Sequence, residues 1–166
     1  MLLYSGYVAI HLFREFWAMS KKSLILQSDS VNDDSFTIDA TVISEFDTLQ
    51  LFTYSVALFA GGVIGDIVDL RKLMSLTFAL LGLAYLMLAV GGQLEIEVLF
   101  YYYFTFFLIG LFSSIIWPSS IHILGNWYSR ANRGLIIGGW ATCANIGNIL
   151  GIQIAAVLIK LFNDEW

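Results

Sequence analysis

Gly6-Tyr7-Val8-Ala9-Ile10-His11-Leu12-Phe13-Arg14 sets one guanidinium into an otherwise apolar run that extends from Leu2 to Met19. As a helix this segment is about long enough to cross a bilayer. A permanently ionised side chain inside it costs roughly 2.5 kcal/mol or more. Tyr7, His11, Arg14 and Ala18 follow one another at spacings of four, three and four. That spacing stacks them on one helix face and leaves Leu3, Val8, Ile10, Phe13 and Trp17 for lipid or neighbouring helices. Arg14 therefore belongs to a polar stripe that points into something wet or anionic. Two plainer readings stand beside this one. Arg14 could pair with Glu15, which adjacency on a helix disfavours, or snorkel toward the interface that Lys21 and Lys22 mark.

Working outward, composition sets the class. The 166 residues are 58% hydrophobic and 13% charged, against about 25% charged in soluble domains, and the mean hydropathy is +0.78. These values describe an all-α integral membrane protein, because open sheet edges in lipid would leave backbone groups unsatisfied. A single cysteine, Cys143, excludes an internal disulfide, and the two histidines with it make no zinc-ligand spacing. No metal or cofactor is expected. The net charge of −5 comes mostly from Asp29, Asp33, Asp34, Asp39, Glu45 and Asp47. Beyond the first loop and the far end, the basic residues Arg71, Lys72, Arg130 and Arg133 fall in two short turns, which argues against nucleic-acid binding.

Hydrophobic runs predict five membrane-length helices at about 2–22, 48–68, 73–90, 98–127 and 134–162, with 23–47 as an aqueous loop. The turn from Asp66 to Lys72 is short enough to force antiparallel neighbours. Gly61-x-x-x-Gly65, Gly134-x-x-x-Gly138 and Gly147-x-x-x-Gly151 are small-residue faces suited to close helix contact. Pro118 is expected to kink the fourth helix, and Tyr101-Tyr102-Tyr103 to supply an interfacial aromatic belt. Trp140, Asn145 and Asn148 are the polar or amphipathic exceptions in the fifth. For the two asparagines, interhelical bonding and ligand contact both stand as readings.

The turn Gly62-Val63-Ile64-Gly65-Asp66-Ile67-Val68-Asp69-Leu70-Arg71-Lys72 resembles the signature turn of the major facilitator superfamily. There an aspartate at a helix end can meet a neighbouring helix N-terminus, with cations beside it. Ile67 stands where a basic residue is usual, and Asp69-Leu70 replaces a glycine-containing stretch. Trp117-Pro118-Ser119-Ser120, Gly125-Asn126-Trp127-Tyr128-Ser129, Arg133-Gly134, Trp140 and Ala144-Asn145-Ile146-Gly147-Asn148-Ile149-Leu150-Gly151 are similar to helices four and five of the organophosphate:phosphate antiporters. The similarity is to their eukaryotic branch of sugar-phosphate exchangers and glycerol-3-phosphate transporter-like carriers. Phe46-Asp47-Thr48, Tyr54 and the opening Gly6-Tyr7, Leu12 and Arg14 extend it over nearly the whole chain except the acidic loop.

The resemblance implies that Arg14 binds a substrate phosphate near the membrane centre, with Tyr7, His11, Tyr54, Trp140 and Asn145 around it. It also implies that Gly62, Asp66, Arg71 and Lys72 form the signature turn. Leu58 and Ala144 depart from bacterial members, which carry a lysine and a histidine there. His122 is then the other titratable candidate, with a packed or interfacial histidine as the plainer reading.

Complete members have two six-helix halves with the site between them at the bilayer midplane. The expected fold is thus an incomplete amino-terminal bundle of about five transmembrane helices in a multi-pass membrane protein, and the chain is expected to be a fragment. Its missing partner would be the carboxy-terminal half or a second chain. The endoplasmic reticulum is one membrane the resemblance suggests. The expected function is exchange of an organic phosphate, a sugar phosphate or glycerol 3-phosphate, for inorganic phosphate by alternating access. The alternative is a non-transporting membrane scaffold or partner-binding remnant. An enzyme is not expected: Ser119, Ser120 and His122 are too close in sequence to share a helical face, and no carboxylate lies near to orient a base.

Overall fold

The computed structural model describes residues 2–28, 39–94 and 96–161, except the side chains of 22–28. Five helices account for almost all of them: α1 Leu2–Ser28, α2 Ala40–Ile67, α3 Leu70–Gln93, α4 Leu99–Trp127 and α5 Arg133–Leu161. There is no strand among the described residues. Two ends differ from the sequence expectation by more than four residues, and α3 is three residues longer at each end than expected. Helix α2 begins at Ala40 rather than at 48, because Ile43 and Phe46, three residues apart, are both buried and carry Glu45 into the helix on its exposed side. Helix α1 runs on to Ser28, since Lys21 to Gln27 contains neither glycine nor proline to stop it. The rest of the expected loop, 29–38, lies outside the described residues.

Helices α2, α3, α4 and α5 are long and apolar enough to cross a membrane, and α1 is not. The difference traces to His11, Arg14 and Glu15, which dilute the apolar run of α1 without shortening it. Many large apolar side chains on the other helices are exposed, among them Phe59 at 82% and Leu135 at 82%. Such surface suits a lipid environment, where apolar exposure carries no penalty.

The chain divides into two compact units, Met1–Glu45 with Ala141–Trp166, and Phe46–Trp140. In the first, α1 and α5 run side by side in the same direction. A Cβ on Gly147 would lie 2.5 Å from Val8 O, and one on Gly151 would lie 2.7 Å from Leu12 O. Only glycine allows backbones this close. Near the start of α1, Tyr4 Oη and Thr142 Oγ1 are hydrogen-bonded at 2.9 Å. Gly134 and Gly138, read from sequence as an equivalent pair, have nothing within 4 Å of a Cβ.

In the second unit α4 is the central element, with Thr105, Phe106, Ile109, Ser114, Ile116, Ser119 and Ser120 all nearly inaccessible. Helix α2 lies along it in the same direction. A Cβ on Gly110 would meet Gln50 O at 2.5 Å, and one on Gly61 would meet Ile115 Cα at 3.2 Å. Phe46 stacks on Phe106 with ring centroids 5.1 Å apart. Helix α3 returns antiparallel against α4, tied by Tyr101 Oη donating to Met87 O at 2.6 Å and Tyr102 Oη to Gly91 O at 3.1 Å. These two tyrosines are therefore interhelical ties. Helix α4 passes through Pro118 as one element.

Candidate functional site

The expected anion-binding residues are distributed over both units. Tyr7, His11, Arg14 and Asn145 lie in the first, and Tyr54 and Trp140 in the second. In the first unit the close α1–α5 approach positions the polar stripe. His11 Nδ1 is 3.0 Å from Asn148 Oδ1, and a carboxamide oxygen only accepts, so the ring nitrogen donates. The buried Tyr7 ring packs against the imidazole with centroids 5.0 Å apart. A Cβ on Gly147 would sit 2.6 Å from His11 Cβ, so this glycine is what lets the adjacent Asn148 reach the ring. Asn145, the asparagine expected to contact substrate, is exposed. Asn148 is the one that engages the stripe.

Arg14 lies one turn beyond His11 on the same face. Its Nη2 is 3.6 Å from Glu15 Oε1, with side chains 55% and 22% exposed. The expectation that adjacency keeps these two apart is thus corrected, because two long side chains can bend along the helix surface to meet. At 3.6 Å the contact is an ion pair without a hydrogen bond. Partly exposed pairs of this kind contribute roughly 0–1 kcal/mol. The guanidinium keeps most of its donor capacity.

In the second unit Tyr54 is half-buried on α2, and Trp140 is buried with its ring centroid 5.3 Å from that of Trp117. The signature turn is more compact than expected: α2 ends at Ile67 and α3 begins at Leu70. Asp69 caps α3, its Oδ1 accepting from Arg71 N at 3.0 Å. Asp66, expected to meet a neighbouring helix N-terminus, instead places Oδ1 3.4 Å from His122 Nδ1. A Cβ on Gly62 would meet nothing within 4 Å, and Arg71 and Lys72 are exposed. Arg133 Nη2 donates to Gly125 O at 2.6 Å, closing the carbonyl end of α4.

Two sequence expectations are corrected here: a carboxylate stands beside His122, and Ser119, three residues before that histidine on α4, does share its helical face, because residues three apart are neighbours on a helix surface. Yet Ser119 Oγ is buried without a hydrogen-bond partner, facing the Gly65 position of α2 at 3.5 Å. A hydroxyl neither bonded to a base nor accessible is not an activated nucleophile. Among the described residues no group of histidine, cysteine and carboxylate side chains is arranged to hold a metal ion.

The sequence reading left Asn148 undecided and passed over Tyr4 and Thr142. Their partners are 137 and 138 residues away. The available signal was the Gly147-x-x-x-Gly151 face, which marks where another helix comes close and therefore which neighbouring polar residue can reach across.

Comparison with known proteins gives consistent results. The family model described as Major Facilitator Superfamily matches residues 9–166. Sugar phosphate exchanger 3 of Mus musculus is 36% identical over 129 residues, 75% of this chain and 26% of the relative. Glucose-6-phosphate exchanger SLC37A2 of Xenopus tropicalis is 31% identical over 72% of this chain and 24% of its own length. A protein of Arabidopsis thaliana named, provisionally, as glycerol-3-phosphate transporter 3 is 33% identical over 75% of this chain and 24% of its own. The chain spans about a quarter of the length of each of these relatives. No solved structure matches it.

Proposed function

We propose a function from one premise: the chain belongs to the Major Facilitator Superfamily. It is part of a multi-pass membrane carrier that moves a phosphate monoester, a sugar phosphate or glycerol 3-phosphate, in exchange for inorganic phosphate. The relatives named as sugar-phosphate and glucose-6-phosphate exchangers support that substrate class. The observation that carries it is Arg14. This guanidinium lies halfway along α1, is 55% exposed, and approaches its nearest carboxylate only at 3.6 Å. A guanidinium fork can hold two phosphate oxygens in parallel. Tyr7 and His11 share its face of α1 in this reading, and Asn145 of the same unit is a further candidate contact.

Binding, orientation and release are enough for this function, and no covalent step is assigned to any residue. Alternating access works by one helical bundle rocking against another around a shared site. Phosphate binding at Arg14 is one step of that cycle and can be measured on this chain by itself. Guanidinium-directed labelling by phenylglyoxal tests it. Inorganic phosphate is expected to protect Arg14 and leave the exposed Arg71 reactive. Equal labelling of Arg14 with and without phosphate contradicts the reading.

A further inference from the structure

We propose that Asn148 is a positioning residue that fixes the His11 ring so that the Arg14–His11 face takes up a phosphate together with one proton. The inference rests on the phosphate reading above and goes beyond it in naming the proton and the residue that controls it.

The carboxamide oxygen of Asn148 stands 3.0 Å from His11 Nδ1. Since that oxygen offers only lone pairs, the bond requires the proton on Nδ1. A neutral imidazole has one N–H, so Nε2 is left as a bare acceptor. The Tyr7 ring against one side of the imidazole and the Gly147 backbone contact at its Cβ restrict other ring orientations. The neutral ring thus presents an acceptor on the face it shares with Arg14.

Above about pH 7 a phosphate monoester is mostly dianionic, its second pKa being about 6, and an ordinary imidazole is neutral, with a pKa of about 6.5. A bare Nε2 lone pair and a dianion repel. One proton between them turns the contact into a hydrogen bond, either as N–H donating to a phosphate oxygen or as a phosphate O–H donating to nitrogen. The total is the same in both cases: the dianion, the neutral ring and one proton from solvent, with no covalent bond made or broken. Arg14 holds the remaining oxygens.

The charged and titratable groups around His11 are few. On α1 they are Tyr4, Tyr7, Arg14 and Glu15. Along α5 they are Cys143, which is buried, with Arg133 and Lys160 near its two ends. None of them replaces the Nδ1 acceptor.

The test uses the purified 166-residue chain in lipid nanodiscs, with glycerol 3-phosphate, a monoester whose dianion has no acidic O–H of its own, as the probe and calorimetric titration from pH 6 to 9 in two buffers of different ionisation enthalpy. The parent is expected to take up close to one proton per phosphate at the alkaline end. Its affinity should fall about tenfold per pH unit there, the linkage slope for one proton. Asn148→Leu frees the ring to carry its proton on Nε2, which donates to a dianion directly, so proton uptake should vanish and the affinity should become flat with pH. Asn148→Asp keeps an acceptor oxygen and favours the charged ring, so the slope should persist at higher pH. A purely structural asparagine would instead lower affinity equally at every pH.

The chain has two histidines, so His122→Gln leaves His11 as the only imidazole signal in a 15N spectrum. Without phosphate that spectrum should show a protonated Nδ1 and an unprotonated Nε2. An unprotonated Nδ1 overturns the proposal, as does phosphate binding without proton uptake in the parent, or an unchanged slope in Asn148→Leu. Failure of the parent to bind phosphate at any pH overturns the phosphate reading, and this proposal with it.

Discussion

Single residues in this chain are set by what their neighbours leave unsatisfied. Asp69 was read from sequence as a departure from a family turn, and the structure makes it the cap of α3, accepting from Arg71 N at 3.0 Å. Removing a capping carboxylate costs about 0.5–2 kcal/mol. Asp69→Ala should therefore lower the midpoint of thermal unfolding in detergent, while Asp69→Asn, which keeps an acceptor, should restore most of it. Asp66 turned out differently, reaching His122 at 3.4 Å, and sequence distance hid this because the pair is formed across two helices. Arg14 shows the opposite lesson. Its place in an apolar run was legible from spacing alone, but its approach to Glu15 depends on side-chain bending that no periodicity encodes.

Helices were the most legible level, and their contacts the least. The hydrophobic runs point to five elements, and the described residues form five. The early start of α2 was missed because Glu45 and Asp47 read as loop residues, whereas Phe46 between them is buried and stacked on Phe106. Local charge signalled water and long-range packing overrode it. Glycine spacing had the same weakness. Gly134-x-x-x-Gly138 and Gly147-x-x-x-Gly151 look equivalent in sequence, but only the second pair receives a helix among the described residues. Gly147→Ala should destabilise the α1–α5 pair by about 1–3 kcal/mol through overpacking. Gly138→Ala should be neutral or stabilise by up to about 1 kcal/mol through helix propensity. Unfolding monitored by helical circular dichroism compares the two, and equal losses would contradict the assigned packing.

For the molecule as a membrane protein, composition alone settled the class, and four helices are long and apolar enough to span. Helix α3 then places Val68 and Glu97 on opposite sides, and α4 returns Ser129 to the side of Val68. In a Cys143→Ser background, an impermeant maleimide added outside sealed vesicles should label Val68→Cys and Ser129→Cys alike, and Glu97→Cys only from the other side. Labelling of all three from one side would mean that α3 or α4 does not cross. The central claim is that this fold presents Arg14 to a phosphate, and the most direct test is phosphate affinity in Arg14→Lys. That change keeps the charge and removes the fork. Charge-assisted hydrogen bonds are worth roughly 1.5–3 kcal/mol each, so affinity should fall about tenfold or more at unchanged helix content. Arg14→Lys binding phosphate as tightly as the parent would contradict the account.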